Sequence, residues 1–247
     1  MRYFIQLSYH GKPFCGWQRQ KDDPSVQQTL EDIFSVVLRQ KIEIIGCGRT
    51  DTGVHAHSYF AHFDYAASIP PSFLLRINRY LPSDLAIQDI FQVNDSFHAR
   101  FDANKRTYKY FVHYMKNPFL EDRSWWLENK QPDILLMNQA AAILLKYNDF
   151  ASFEKKGSNN KHSLCDMFHA QWEEIDGGMI FTISANRFLR NMVRRIVGCL
   201  LQIGIRQMDI NTMIQSLETK TPLNVKIATP AQGLHLWDIE YDFPKFP

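Results

Sequence analysis

Three things are scarce in this 247-residue chain, and each scarcity closes off a class of protein. Cysteine occurs four times, as Cys15, Cys47, Cys165 and Cys199, and never in C-x-x-C spacing. That argues against a zinc ribbon or a disulfide framework and fits a reducing compartment, by default the cytoplasm. Long apolar runs are missing too. The amino terminus, MRYFIQLSYHGKPF, holds no signal-peptide core, and no segment approaches the ~18 uninterrupted apolar residues of a membrane span, so a soluble protein is expected. Charge of one sign is the third scarcity: the formal net charge is +2, so no general basic coat exists and any anionic partner must be met by local clusters. What is plentiful is core. At 45% hydrophobic residues the chain can fill one large domain or two smaller ones.

Periodicity orders the elements. Alternation over Arg2 to Tyr9 reads as a strand ending in His10-Gly11-Lys12-Pro13. Ser25 precedes a run with Val26, Leu30, Ile33, Val37 and Leu38 at helical spacing, and Gln28 stands where a capping box needs it. Strands are expected over about 41–46, 57–65 and 85–93, with a short helix between Pro70-Pro71 and Pro82. The second half repeats the rhythm: a strand over about 105–115, a helix over 133–146, strands over 165–175 and 178–185 joined at Asp176-Gly177-Gly178, and a long helix from about 187. Strands and helices do not strictly alternate, which predicts an α+β fold in two strand-rich lobes.

Chemistry concentrates in a few places. GCGRTDTGVHAH, from Gly46 to His57, crowds glycines, Arg49, Asp51 and two histidines together. Glycine lets the backbone turn sharply and lets a ligand come close. Asp51 reads as a nucleophile, a general base or a plain turn residue, and Arg49 is near enough to favour its ionised form. His55, His57 and His62 with Asp51 suggest a divalent metal site, but no further ligand or helical ligand spacing is visible, so no metal is expected. FHARFDANKRTYKYF interleaves bases and rings; extended, it sets Arg106, Tyr108 and Tyr110 on one side, a surface for an unstacked base or an ordinary amphipathic strand. In SANRFLRNMVRRIVGCLL, helical geometry places Arg187, Arg190 and Arg194 on one polar side without interspersed acids, either a solvated helix face or a pattern suited to phosphates or a buried carboxylate. KKGSNNK is a lysine-flanked loop, and Trp17 of GWQRQ either underlies the active loop or fills core.

Taken together, these stretches resemble the TruA family of tRNA pseudouridine synthases. The signature G-R-T-D-x-G-V-H-A stands unbroken from Gly48 to Ala56. Around it, in order, lie GWQRQ, SVQQTLE, FHARFDA, RTYKY, NDFASF, FLRNMVRRIVG and GLHLWDIEY, so the resemblance spans nearly the whole chain. It implies two ferredoxin-like lobes, 1–104 and 105–247, sharing a long, mainly antiparallel sheet flanked by helices around a central basic cleft. It implies a cofactor-free, metal-free homodimer that isomerises uridine to pseudouridine at positions 38, 39 and 40 of the tRNA anticodon stem-loop. Asp51 takes the catalytic position, Arg194 that of its ion-pair partner, Tyr108 that of the ring stacked on the target base, and Arg49 that of the residue assisting base extrusion. Phe97, His98, Ala99, Arg100 and Phe101, with the loop Gly157, Ser158, Asn159, Asn160 and Lys161, match RNA-contacting positions, while Arg187 and Arg190 suit surrounding phosphates.

Two departures from the commoner pattern, His10 and Lys12 in the first turn and Cys165-Asp166 where many relatives carry arginine, bear on the choice of tRNA rather than on the chemistry. The rival functions are a tRNA-binding or folding module without catalysis, which has no use for an intact R-T-D, and a metal-dependent hydrolase built on Asp51 and the histidines.

Overall fold

Residues Arg2–Tyr9 form β1, and apolar side chains fill both of its faces: Phe4, Ile5 and Leu7 are fully buried. A strand covered on both sides needs neighbours on both edges and layers above and below, and the computed structural model supplies them within a first compact unit, Met1–Asn104 with the segment from His235 onward. The structure describes residues 1–128, 131–155, 157, 161–225 and 229–243.

α1 (Val26–Leu38) starts as its sequence predicts, with the Ser25 hydroxyl accepting from the Gln28 amide. Its buried stripe of Val26, Leu30, Phe34 and Val37 covers the sheet, Phe34 lying edge-on to Phe63 at 5.1 Å. At about 2 kcal/mol per buried side chain, Leu30 and Phe34 alone contribute about 4 kcal/mol to docking this helix. The strand expected over 41–46 shrinks to β2 (Ile45–Gly46), because Ile44 turns its amide to the Glu31 carboxylate instead of to a strand. β3 (His55–Asp64) begins two residues earlier than expected; α2 (Phe73–Asn78) and β4 (Leu85–Val93) follow. β1 pairs antiparallel with β3 on one edge and β4 on the other.

The second unit is Lys105–Leu234. β5 (Ala103–His113) pairs antiparallel with β8 (Gly178–Ala185) and takes the two-residue β6 (Trp125–Trp126) alongside it in parallel. α3 (Ile134–Leu144) is capped by Asp133, whose carboxylate accepts from the Leu136 amide. The hairpin β7 (Met167–Ile175) and β8 (Gly178–Ala185) turns at Asp176-Gly177, as its residues indicate. Asn138 of α3 satisfies the backbone of Trp172 on β7, donating to its carbonyl and accepting from its amide. α4 (Met192–Gly204) and α5 (Ile210–Thr219) complete the unit.

The expected long helix from 187 is corrected: it starts at Met192. Asn191 sits in the left-handed region at φ 64°, which a right-handed helix interior excludes. The segment before it is tied elsewhere, with Arg106 donating to the Asn186 carbonyl and the Asn186 side chain to Asp166. Arg187 and Arg190 therefore precede the helix and share no face with Arg194.

β9 (Leu234–Tyr241) closes the list. The expected second lobe ran on to 247, but the structure returns the segment from His235 to the first unit, where β9 pairs in parallel with β3 at His55 and Ala56. Tyr241 packs edge-on to Phe4 at 5.8 Å and Phe60 at 5.1 Å, and its hydroxyl donates to the Ala99 carbonyl. Both units are α+β, their strands mainly antiparallel and flanked by helices. Among the described residues no helix is long and apolar enough to cross a membrane.

Candidate active site

The signature loop runs from the end of β2 to the start of β3, and its backbone is held at nearly every step. Tyr59 of β3 donates its phenol to the Gly48 carbonyl. The Tyr9 hydroxyl, at the end of β1, bonds the Thr50 hydroxyl at 2.8 Å. The Thr50 carbonyl accepts from the Trp17 amide at 3.3 Å, the Asp51 carbonyl from the Val54 amide at 3.1 Å, and the Gly53 amide reaches the Phe14 carbonyl at 3.4 Å. These five bonds position the loop through its main chain and the Thr50 hydroxyl.

Two glycines make the arrangement possible. Gly53 turns the chain at φ 78°, and Gly16, at φ 86°, lies so close beneath the loop that a Cβ there would fall 2.4 Å from the Thr50 carbonyl oxygen. Trp17 does lie under the loop: its ring stacks on Tyr59 at 4.1 Å and 23°. Thr50 is buried, Asp51 half-buried and Arg49 exposed, with the Arg49 Nε donating to Gln18 at 3.3 Å.

The nearby histidines serve the backbone and one another. His55 accepts from the Gly11 amide at 3.0 Å through Nδ1, and its ring stacks on His235 at 4.5 Å. His57 Nε2 lies 3.0 Å from His235 Nδ1, and its ring rests against Trp237 at 4.3 Å. His62 accepts from the Ala99 amide through Nδ1; burial first, then the cation of Arg2, pushes its pKa down to about 4, so it is neutral. Among the described residues no group of three or more His, Cys, Asp or Glu side chains converges as a metal ion requires.

Of the RNA-contact candidates in this unit, Ala99 is fully buried and Phe97 packs against Phe4 at 5.2 Å, so both support the fold. Arg100 and Phe101 face solvent, with Phe101 74% exposed and the Arg100 guanidinium 5.7 Å from its ring. His98, whose ring lies 4.3 Å from that of Phe101, accepts from the Arg100 amide.

In the second unit Tyr108 sits on β5 opposite Ile183, half-buried, its ring edge-on to Phe188 at 5.2 Å. The expected neighbours on its face behave otherwise. Tyr110 is fully buried, donates to the Pro230 carbonyl at 2.8 Å, and has its phenol pKa pushed up by burial, so it offers no ring to a base. Arg194 lies one turn into α4 with Nε and Nη2 both donating to the Thr229 carbonyl, at 2.9 and 2.6 Å, while the Thr229 hydroxyl donates back to the Arg194 carbonyl at 2.9 Å. Its planar head is thereby fixed in direction. Arg187 reaches His162 at 2.9 Å, and Arg190 is exposed. Gly157 takes φ 78° and Lys161 is exposed, while Ser158, Asn159 and Asn160 lie outside the described residues.

Sequence reasoning missed Tyr9, Tyr59 and Thr229. The tyrosines occupy strand positions that alternation alone assigns to core. Thr229 carries no signal at all, since any residue supplies the carbonyl that orients Arg194.

A carboxylate on a locked, glycine-turned loop, beside an exposed arginine and in a chain of exposed ring-and-base clusters, defines a candidate enzyme acting on a polyanion. The comparisons name the class. Residues 140–242 match the family model described as tRNA pseudouridine synthase. A protein named tRNA pseudouridine synthase A from Azobacteroides pseudotrichonymphae is 45% identical over 97% of this chain and 96% of its own length. Proteins of the same name from Parabacteroides distasonis and Francisella tularensis are 42% and 36% identical, over 100% and 99% of this chain and 98% and 95% of their own lengths. The chain belongs to the tRNA pseudouridine synthase family.

Proposed function

We propose that this protein isomerises uridine to pseudouridine in tRNA, at positions 38, 39 and 40 of the anticodon stem-loop. The observation that carries the reading is the Gly48–Gly53 loop, whose five bonds, with positive φ at Gly53 and at Gly16 beneath it, hold Asp51 in one place within a chain of this family.

The reaction breaks the bond between uracil N1 and C1′ of the ribose, turns the base, and forms a bond from C5 to C1′. C5 gives up its proton and N1 gains one, so no electrons are exchanged and no donor group is consumed. The base has to leave the stack and stay enclosed while detached. Asp51 supplies the carboxylate, with Arg194 compensating its charge. Tyr108 stacks on the extruded uracil and excludes water, and Arg49 assists extrusion. Arg100 and Phe101 contact the RNA beside His98, while Phe97 and Ala99 hold that segment from the core side. The loop from Gly157 to Lys161, Arg187 and Arg190 meet phosphates. The protein works in the cytoplasm as a homodimer.

The test is incubation with a tRNA transcript lacking pseudouridine, followed by mapping of the modified nucleotides. Pseudouridine at 38–40 is expected. A transcript left unmodified overturns the function, and modification confined to other positions overturns the assignment of site.

A further inference from the structure

The signature loop rests on two tyrosines that no motif assigns to the chemistry. Tyr59 and Tyr9 are 0% and 4% exposed, and their rings lie 5.7 Å apart beneath the loop. Tyr59 bonds the carbonyl three residues before Asp51, and Tyr9 bonds the side chain one residue before it. Burial holds the Tyr59 phenol well above its ordinary pKa, so it remains a proton-bearing donor throughout any working range. Trp17, stacked on Tyr59, adds its own amide to the Thr50 carbonyl. Three aromatic residues from three different segments therefore grip Gly48 and Thr50, the residues on either side of Arg49 and directly ahead of Asp51.

An ordinary core phenol has no reason to select this loop. Tyr3, equally buried at 5%, donates to the carbonyl of Ala67 away from the signature residues, and so makes the same kind of bond without the same target.

We propose that Tyr59 and Tyr9 are positioning residues for pseudouridine formation, acting through the Gly48–Asp51 backbone to fix the carboxylate where the target nucleotide enters. The bond each phenol makes keeps the loop from sliding along β3. Loss of either lets Asp51 drift by a fraction of an ångström, and misplacement on that scale is costly in rate while leaving the RNA-contacting surface untouched.

This inference rests on Asp51 being the reacting carboxylate, so the experiment carries its own reference. Wild type, Asp51→Asn, Tyr59→Phe, Tyr9→Phe, the double tyrosine variant and Tyr3→Phe are compared with one unmodified tRNA. Single-turnover rate at saturating enzyme, tRNA dissociation constant and thermal midpoint are measured for each. Tyr59→Phe is expected to lose about 10- to 100-fold in rate and Tyr9→Phe about 3- to 10-fold, with dissociation constants within about twofold of wild type. The double variant should lose less than the product of the two, because both act on one loop. Tyr3→Phe should lower the thermal midpoint comparably and keep its rate. Wild-type rates in folded Tyr59→Phe and Tyr9→Phe, or an equal rate loss in Tyr3→Phe, overturn the proposal. If Tyr59→Phe does not fold, Tyr9→Phe decides by the same two criteria. An active Asp51→Asn would instead overturn the reading of Asp51, a separate result.

Discussion

The signature loop of the first unit and the arginine segment of the second, both short and rich in charge, are stabilised in opposite ways. Around Asp51 the constraints are local and dense: two positive-φ glycines and five bonds fix a few consecutive residues. Around Arg194 the described constraints are long-range: two guanidinium nitrogens donate to the backbone carbonyl of Thr229, 35 positions away, and the Thr229 hydroxyl donates back to the Arg194 carbonyl. Arg187 and Arg190, close in sequence to Arg194, belong to a separate irregular stretch that ends at a left-handed asparagine. Dense local constraint leaves a motif in the sequence; long-range bonds to main-chain atoms leave none.

The contrast breaks most cleanly at the carboxylate. Asp51→Asn keeps the shape of the side chain and every backbone bond of the loop. Pseudouridine formation is expected to fall by at least about 1,000-fold while thermal midpoint and tRNA affinity hold. Turnover by that variant, after deamidation is ruled out by mass spectrometry, rejects the assignment.

Next comes the arginine segment. Arg194→Ala should lower the single-turnover rate by about 100-fold with a small change in affinity. Arg194→Lys should recover little of it, since a compact ammonium cannot reproduce the planar, two-nitrogen clamp on Thr229. Arg187→Ala and Arg190→Ala should do the reverse, weakening binding and flattening its dependence on log salt by about 0.7–0.9 each while the saturated rate survives. Binding curves at several salt concentrations beside single-turnover rates test the split. An Arg194→Ala protein that loses affinity alone would put the catalytic arginine elsewhere.

Two glycines sharpen the account of the loop. Gly16→Ala drives a methyl group into the Thr50 carbonyl at 2.4 Å and strains a φ of 86°, so activity should drop about tenfold and the thermal midpoint should fall. Gly48→Ala meets nothing within 4 Å, and its thermal midpoint should match wild type. If Gly48→Ala nonetheless weakens tRNA binding, the bare Cα serves the substrate rather than the fold. Calorimetry and filter binding on the pair give the answer.

The smallest effect concerns pH. His62 stays neutral down to about 4 in the native state, against an ordinary value of 6.5. As pH falls below 6.5 the unfolded chain takes up a proton that the native one refuses, so the stability contributed by a neutral His62 is full above 6.5 and is lost between 6.5 and 4. His62→Asn keeps an acceptor for the Ala99 amide without titrating. It should shrink the fall in thermal midpoint across that window by on the order of 5 °C, and identical slopes for the two proteins would refute the role.

These cases show what the sequence could disclose. The Ser25 cap, the β7–β8 turn and the alternation of β1 each depend on residues within a few positions of one another, and each was legible. The start of α4 was not, because the apolar spacing from Leu189 onward reads as helix straight through Asn191 and only the backbone reveals the left-handed residue. Tyr110 looked like a partner of Tyr108, since alternation puts both on one face, yet Pro230 covers it from a distant segment. For the site, the residue types of the loop announced themselves; the tyrosines and the carbonyl that position it did not, because core packing and main-chain bonds use the same residues everywhere.

The pairing of β9 with β3 also sets a schedule. β3 emerges directly from the signature loop, and His57 meets His235 at 3.0 Å across a separation of 178 residues. Contacts of that span form late, because the intervening chain must first be ordered. On the ribosome the Asp51 loop is synthesised well before the strand that steadies its exit. Each nascent chain thus holds the Asp51 loop before β9 is available to pair with the start of β3, and a chain released in that interval lacks the pairing at His55 and Ala56.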